Sequence, residues 1–401
     1  MSTQRDPDPA SVQQGLRELV AQLEAGYAIP SAEWAEIVGR VPRHRFLPRW
    51  YDWQGEEEPR EYVGSDDVER WLRKVYADEV VPIDPRDEHR SSSSQPSMML
   101  AFLSALDPAT GHTVLEIGTG SGYNAALLCE RVGSRNVTTI DIEPELVTNA
   151  ADRLTQCGYT PTVAVADGAQ GYPAKAPYDR IIATCSVPRI PAAWIDQLKP
   201  GGVLVTPLAG GCFEYGLVRL TKQPHGGAEG RLRFEGASFM RLRQPGRPSA
   251  PVSEAVQVLA EAPGDGATRP CSLPTALAHR STATWGLMFM IGAAVQEVTW
   301  LWRGPSPDWG EYDREHRRQV PAIVSSLDRS WARVSRGEDG QLTVTEGGPR
   351  RLWDIVEECR ALFLDQGEPM HARYGMTVTG DRRQWLWLDC PDSGHCWELT
   401  G

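Results

Sequence analysis

The chain has 401 residues, 41% of them hydrophobic and 23% charged, which excludes a minimal binding module and wholesale disorder. At about 100–200 residues per domain, that length suggests two or three units. The 41 lysines and arginines stand against 53 acids, and the resulting net charge of -12 repels phosphate backbones and anionic membranes, so nucleic acid and membrane surfaces are poor partners.

The N-terminus, MSTQRDPDPASVQQ, has no apolar stretch after a basic start. The longest weakly polar run, Trp285 to Val295, falls short of the roughly 18–20 residues that span a bilayer. Eight scattered cysteines form no dense disulfide framework, so reduced thiols in a cytoplasmic protein are expected. Cys390, His395 and Cys396 lack a second ligand pair of matching spacing, and no metal is expected.

Leu16, Leu19, Val20 and Leu23 recur at helical spacing and predict an amphipathic helix over 11–25; a second begins at Pro30 and Ser31 and carries Trp34, Ile37 and Val38. The acidic, proline-punctuated stretch from Tyr51 to Pro85 reads as cover or substrate lid. From Thr113 the chain alternates short β-branched runs (VLEI, VTTID, VAVAD, YDRIIAT, GGVLVTPL) with helical stretches. That alternation predicts βαβ units and a mainly parallel sheet covered on both faces. GLVRLTKQ and RLRFEGASFMRLR read as an antiparallel pair closing the sheet edge, with the core ending near Gln244.

Residues 245–280 have the Pro, Ala and Gly content of a linker. Beyond it, Trp300 with Trp302 and Trp385 with Trp387 lie at the period of a strand, as core anchors, and Arg351 to Asp365 has helical spacing. The expected organisation is an α/β protein with a helical segment and lid over 1–88, a core over 89–244, a linker over 245–280 and a tryptophan-rich α+β accessory domain over 281–401.

The strongest local signal is VLEIGTGSGYNAALL, Val114 to Leu128: strand, glycine turn, helix start. Gly118, Gly120 and Gly122 lie two apart, and the dinucleotide fingerprint would need a third glycine where Tyr123 stands, which disfavours nicotinamide and flavin. No lysine followed by Ser or Thr comes after the glycines, so a phosphate-binding P-loop is excluded. Glu116 ends the preceding strand and suits a cationic or amine-bearing ligand. Asp141, at the end of the next strand, can accept both hydroxyls of a ribose, and Asp167 with Gly168, closing the third, can meet an adenine edge. Three acids at three successive strand ends point to S-adenosyl-L-methionine.

At these residues the chain resembles the protein-L-isoaspartate O-methyltransferase family, from VPRHRFLP (Val41 to Pro48) through SSSSQP (Ser91 to Pro96), the glycine turn and the Asp167–Gly168 pair to YDRIIATCSVPRIPAAWIDQLKPGGVLVTPL (Tyr178 to Leu208). The resemblance implies a Rossmann-like class I methyltransferase core. It assigns the cofactor to Glu116, Gly118, Thr119, Gly120, Gly122, Asp141, Ile142, Asp167 and Gly168. It also implies that Ser94 and Ser92, with Ser93 between them, engage an acceptor carboxylate, although the family's glycine-rich lead-in is replaced here by Asp87 to Ser91 (DEHRS).

A carboxylate acceptor, whose ordinary pKa is about 4, is already a nucleophile at neutral pH, and no general base is required. His89, Arg90 and Arg189 are candidates for the local positive potential that an acidic enzyme needs to attract such a substrate. The long C-terminal extension favours methylation of an aspartate in a cyclised, ribosomally made precursor peptide, leading to aspartimide or isoaspartate. Repair of isoaspartyl protein is the alternative, and a non-catalytic S-adenosyl-L-methionine-binding scaffold is the alternative of another class. Oligomeric state is not legible.

Overall fold

The computed structural model describes residues 7–400 except 53–57, 65, 87–89, 210–215, 236–238, 244–256, 260, 262–265, 273–281, 297, 304–319, 326 and 338. His89 and most of the expected linker therefore lie outside the described residues. No helix in the described residues is long and apolar enough to cross a membrane.

The expected parallel core is present. Strands β5 (Val114–Ile117), β6 (Val137–Asp141) and β7 (Thr162–Val165) pair in parallel on one side, and β8 (Tyr178–Ala183) and β9 (Leu198–Leu208) extend the sheet from β5 on the other. The chain thus runs outward from β5, returns, and runs outward the other way. The carboxyl end of β5 is a topological switch point, where open α/β sheets leave a crevice for ligands. Helices α5 (Pro96–Leu106), α6 (Tyr123–Val132) and α7 (Pro144–Gln156) cover the sheet.

The N-terminal helices form as their spacing requires. In α1 (Pro9–Ala25) Leu16, Leu19 and Leu23 are buried, and in α2 (Ala32–Arg40), capped by Ser31, so are Trp34, Ile37 and Val38. The segment expected to be mere cover is different. Its hairpin of β1 (Arg49–Asp52) and β2 (Arg60–Val63) leads into α4 (Val68–Val75), reached after the one-turn helix α3 (Arg43–Phe46). Trp71, Leu72 and Val75 of α4 are buried in the same cluster as Leu19, Ile37 and Phe102. The ring of Trp71 lies so close to the chain that a Cβ at Gly64 would come within 2.6 Å of it, and its indole donates to Leu47 O at 2.8 Å.

The antiparallel pair β10 (Gly216–Lys222) and β11 (Ala228–Glu235) does not close the sheet, which corrects the sequence expectation. β11 pairs onward with β17 (Tyr374–Val378), then β18 (Gln384–Leu388) and β19 (Cys396–Glu398), making ten strands in one sheet. The seam depends on Gly375, opposite both Arg231 and Trp387: a Cβ there would sit 2.1 Å from the Trp387 ring, over which Arg231 stacks at 4.8 Å. A second sheet, in the order β12 (Ala267–Pro270), β16 (Leu342–Gly347), β15 (Trp331–Arg336), β14 (Val320–Ser325) and β13 (Val298–Arg303), packs through helices Thr282–Ala294 and Leu352–Asp365. Leu204, Phe289, Trp353 and Val344 share one core. Of the tryptophans read as anchors, Trp387 is buried, Trp300 and Trp385 are half-buried, and the side chain of Trp302 lies outside the described residues; Trp331 and Trp353 are buried as well.

Candidate active site

The turn after β5 has three glycines with positive φ, each for a different reason. At Gly118 (φ 101°) a Cβ would lie 2.5 Å from Thr184 Oγ1, which donates to the Gly118 carbonyl at 2.8 Å. At Gly122 (φ 89°) it would lie 3.2 Å from Ala150 Cβ, so the missing side chain lets α6 and α7 pack closely. Gly120 (φ 50°) differs: a Cβ there would meet only Ser92 O at 3.6 Å and Ser91 Oγ at 4.0 Å. The middle of the turn is therefore a cradle that a ligand can approach along the backbone.

Glu116 does not face that cradle. It is fully buried, with Oε1 accepting from Asn124 Nδ2 and Oε2 from Thr139 Oγ1, both at 2.7 Å, and Thr139 Oγ1 is 2.7 Å from Thr119 Oγ1. The expected direct contact with a cationic ligand is corrected accordingly. The carboxyl ties β5, β6, the first turn of α6 and the turn residue Thr119 into one network.

Burial, against only two neutral donors, raises its pKa from 4.5 to about 7. Between those values the folded state holds a proton that the unfolded chain does not. Its contribution is thus fully present below pH 4.5 and is lost as pH rises through 7. Relative to wild type, Glu116→Gln should gain about 2–3 kcal/mol of unfolding free energy between pH 5 and pH 8.5. Denaturant titrations of both proteins at the two pH values check this, and parallel pH profiles would reject it.

Asp141, ending β6, accepts from the Gly120 amide through Oδ2 at 3.1 Å and from the Glu143 amide through Oδ1 at 3.2 Å. It borders the cradle as expected, with half-buried Ile142 beside it. Asp167 accepts from the Ala169 amide at 2.9 Å. A Cβ on Gly168 would clash with Leu242 at 2.7 Å and Ile117 at 2.8 Å. The switch-point crevice thus brings together Gly118, Thr119, Gly120, Gly122, Asp141 and Gly168.

The serine run lies across the turn. β4 (Ser92–Ser93) pairs with β3 (Val81–Pro82), Val81 opposite Ser93. Ser92 and Ser94 are half-buried on one side of the extended chain, while Ser93 is 4% exposed and faces the other way. Grouping Ser93 with the acceptor residues is corrected on that ground. The run is pinned from behind: Arg43 donates to Ser94 O at 3.2 Å, and Asp78 accepts from the Ser97 amide at 2.8 Å and from Gln95 Nε2 at 3.0 Å.

Several residues around the crevice had no signal in the sequence beyond being charged. The stretch Phe239–Arg243 crosses it through Ser186, whose amide donates to Met240 O and whose carbonyl accepts from the Leu242 amide, both at 2.8 Å. Arg243 Nη1 bonds Glu143 at 2.5 Å and its Nη2 lies 4.0 Å from Asp141. Arg90 bonds the same Glu143 at 2.6 Å and reaches Asp84 at 3.4 Å, where Arg86 already binds at 2.6 Å. Against the burial that would raise it, these guanidinium groups hold the Asp84 carboxyl below its ordinary value. Arg90 thus belongs to a cluster in which Arg86, Arg90 and Arg243 share the carboxylates of Asp84 and Glu143. Arg189 sits in the loop that Gln384 clamps through the Ile190 amide and carbonyl at 2.8 and 2.7 Å.

The cradle, the Asp141 carboxylate at its border and the closely covered Gly168 suit a nucleoside-bearing ligand with a bulky substituent along the turn. Comparison with known proteins agrees. The family model for protein-L-isoaspartate(D-aspartate) O-methyltransferase matches residues 14–231. The chain is 36% identical over 213 residues to protein-L-isoaspartate O-methyltransferase of Methanosarcina mazei, covering 53% of this chain and 76% of that one. With the Xanthobacter autotrophicus protein of that name it shares 43% identity over 172 residues, 43% of this chain and 73% of the relative. A solved structure named protein-L-isoaspartate O-methyltransferase shares the fold at a TM-score of 0.52 and 18% identity, over 94% of this chain and 100% of that one.

Proposed function

The chain belongs to the protein-L-isoaspartate O-methyltransferase family and is an S-adenosyl-L-methionine-dependent O-methyltransferase; from that premise we propose that it methylates the side-chain carboxylate of isoaspartyl residues in peptides or proteins. The observation that most supports this reading is the approach of the serine run to the turn, with Ser92 O 3.6 Å from where a Cβ of Gly120 would stand. A polar, hydroxyl-bearing segment and a ligand cradle then share one crevice.

The turn Gly118–Gly122 and Asp141 would hold the cofactor, which supplies an electrophilic methyl on a sulfonium. An isoaspartyl carboxylate is ionised at neutral pH, so this chain has no proton to remove from it. Its task is alignment. Ser94 and Ser92 donate hydrogen bonds that fix one carboxylate oxygen and leave the other directed at the methyl. Neutral donors stabilise the reactant anion less than a guanidinium would, which matters because the anion's charge disappears in the transition state.

Ser94→Ala should lower kcat roughly tenfold while leaving the cofactor Kd within about twofold, the scale of one oriented hydrogen bond. Release of base-labile methyl ester and calorimetric cofactor titration measure the two. Unaltered turnover would remove Ser94 from the site.

The C-terminal extension, taken alone, favours a macrocycle-specific tailoring enzyme. Relatives named protein-L-isoaspartate O-methyltransferase at 36% and 43% identity support the broader reading instead. We therefore prefer general isoaspartyl turnover, consistent with repair. Methylation of arbitrary linear isoaspartyl peptides is the expected result. Turnover confined to cyclised aspartyl peptides would restore tailoring.

A further inference from the structure

With a net charge of -12, attraction for an anionic substrate needs local groups of cations, and Arg90 is already tied to Asp84 and Glu143. An open cleft of about 620 Å³ is lined by Trp50, Arg70, Arg73, Lys74, Ala77 and Glu79, three cations against one acid. Its base is aromatic: Trp50 stacks on Tyr62 at 4.2 Å, Arg70 lies over the Tyr62 ring at 4.3 Å and donates to its hydroxyl at 2.8 Å, and Lys74 lies 5.7 Å from the Trp50 ring. Lys74 also bonds Glu79, and Arg73 is 3.5 Å from Glu69 with both side chains mostly exposed. The indole N–H of Trp50 is buried without an acceptor among the described residues. Lys74 and Arg73 each have one carboxylate beside them and Arg70 a phenol hydroxyl, and all three keep further N–H donors for an acceptor-rich ligand.

Its position ties it to the serines. Arg43 donates to Ala77 O at 2.9 Å, Glu79 O at 3.1 Å and Ser94 O at 3.2 Å, and Asp78 takes the Ser97 amide and the Gln95 side chain. Ala77 and Glu79 thus line the cleft, and with Asp78 between them they brace the serine run from behind. The cleft and the serine run are joined through one buried guanidinium, that of Arg43.

We propose that this cleft is a subsite for the peptide flanking the methylated residue, and that it selects acidic side chains there. The assignment rests on the acceptor being part of a peptide. Electrostatic selection of this kind is salt-dependent and is lost with the cations that produce it.

The test uses two fluorescent isoaspartyl peptides that differ only in flanks of glutamate or glutamine, with the full-length protein and its Arg70→Gln/Arg73→Gln variant. Anisotropy in the presence of S-adenosyl-L-homocysteine gives affinities, and methyl-ester release gives turnover. The wild type should bind the glutamate-flanked peptide about tenfold tighter at low salt, and the double variant should discriminate less than about twofold. Arg73→Gln alone, at a side chain 70% exposed, should give an intermediate ratio without threatening the fold.

Equal affinities in wild type, or a preference that survives both substitutions, would overturn the subsite. Tight single-stranded RNA binding abolished by the same substitutions would also overturn it, in favour of a phosphate ligand. If neither peptide is methylated while the charge-dependent preference and its loss are both seen, the subsite stands and the methyl-acceptor reading fails.

Discussion

Exchange of Asp141 for alanine should weaken S-adenosyl-L-methionine binding by about a hundredfold, the largest loss of affinity expected from any single side chain of the site. The carboxylate already fixes the turn, one oxygen on the Gly120 amide and the other on the Glu143 amide, and each oxygen keeps a further lone pair. Donation from the ribose diol to this charged acceptor would contribute about 1.5–3 kcal/mol in all. A net loss near 2.7 kcal/mol corresponds to the hundredfold change. Asp141→Asn keeps an acceptor for Gly120 while losing the charge, and should cost roughly tenfold. Calorimetric titration with S-adenosyl-L-homocysteine separates the two variants, and an unchanged Kd in Asp141→Ala would move the ribose acceptor elsewhere.

The site's backbone was legible because it is local. Glycines two apart after a β-branched run leave few conformations other than a strand, a positive-φ turn and a helix, and Asp141 and Gly168 fall at the next two strand ends for the same reason. Side-chain direction was less accessible. All four residues of β5 are buried, so nothing in the pattern says whether Glu116 looks at a ligand or into the fold.

Pairings across long separations left no mark at all. Trp385 and Trp387 announce a strand, yet its attachment to β11 through Gly375 joins residues some 140 positions apart and rests on one missing Cβ. Helix α4 escaped because its eight residues sit between acidic and proline-containing flanks, too short for the spacing of Trp71, Leu72 and Val75 to register as a period. The salt links of Arg90 and Arg243 to Glu143 connect aperiodic segments, where composition records charge and not partner.

Loss of Arg43 should be the most destabilising single change near the site, by about 3–5 kcal/mol for Arg43→Met in denaturant unfolding. The guanidinium is 0% exposed, and burial lowers its pKa to about 10, so it remains charged at neutral pH. Its hydrogen bonds go to the carbonyls of Val75, Ala77, Glu79 and Ser94 at 2.9–3.2 Å, and it lies over the face of Tyr123 at 5.6 Å. Methionine fills the volume but leaves several inward carbonyls without donors, and an unmet buried acceptor costs about 1–3 kcal/mol. Arg43→Lys retains the charge without the planar fork that spans four acceptors, so it should recover only part of the loss. Because the same carbonyls brace Ser94 and form the cleft wall, a residual folded fraction should lose turnover more than cofactor affinity. An Arg43→Met protein within about 0.5 kcal/mol of wild type would show that Ala77–Glu79 and the serine run hold their places without it.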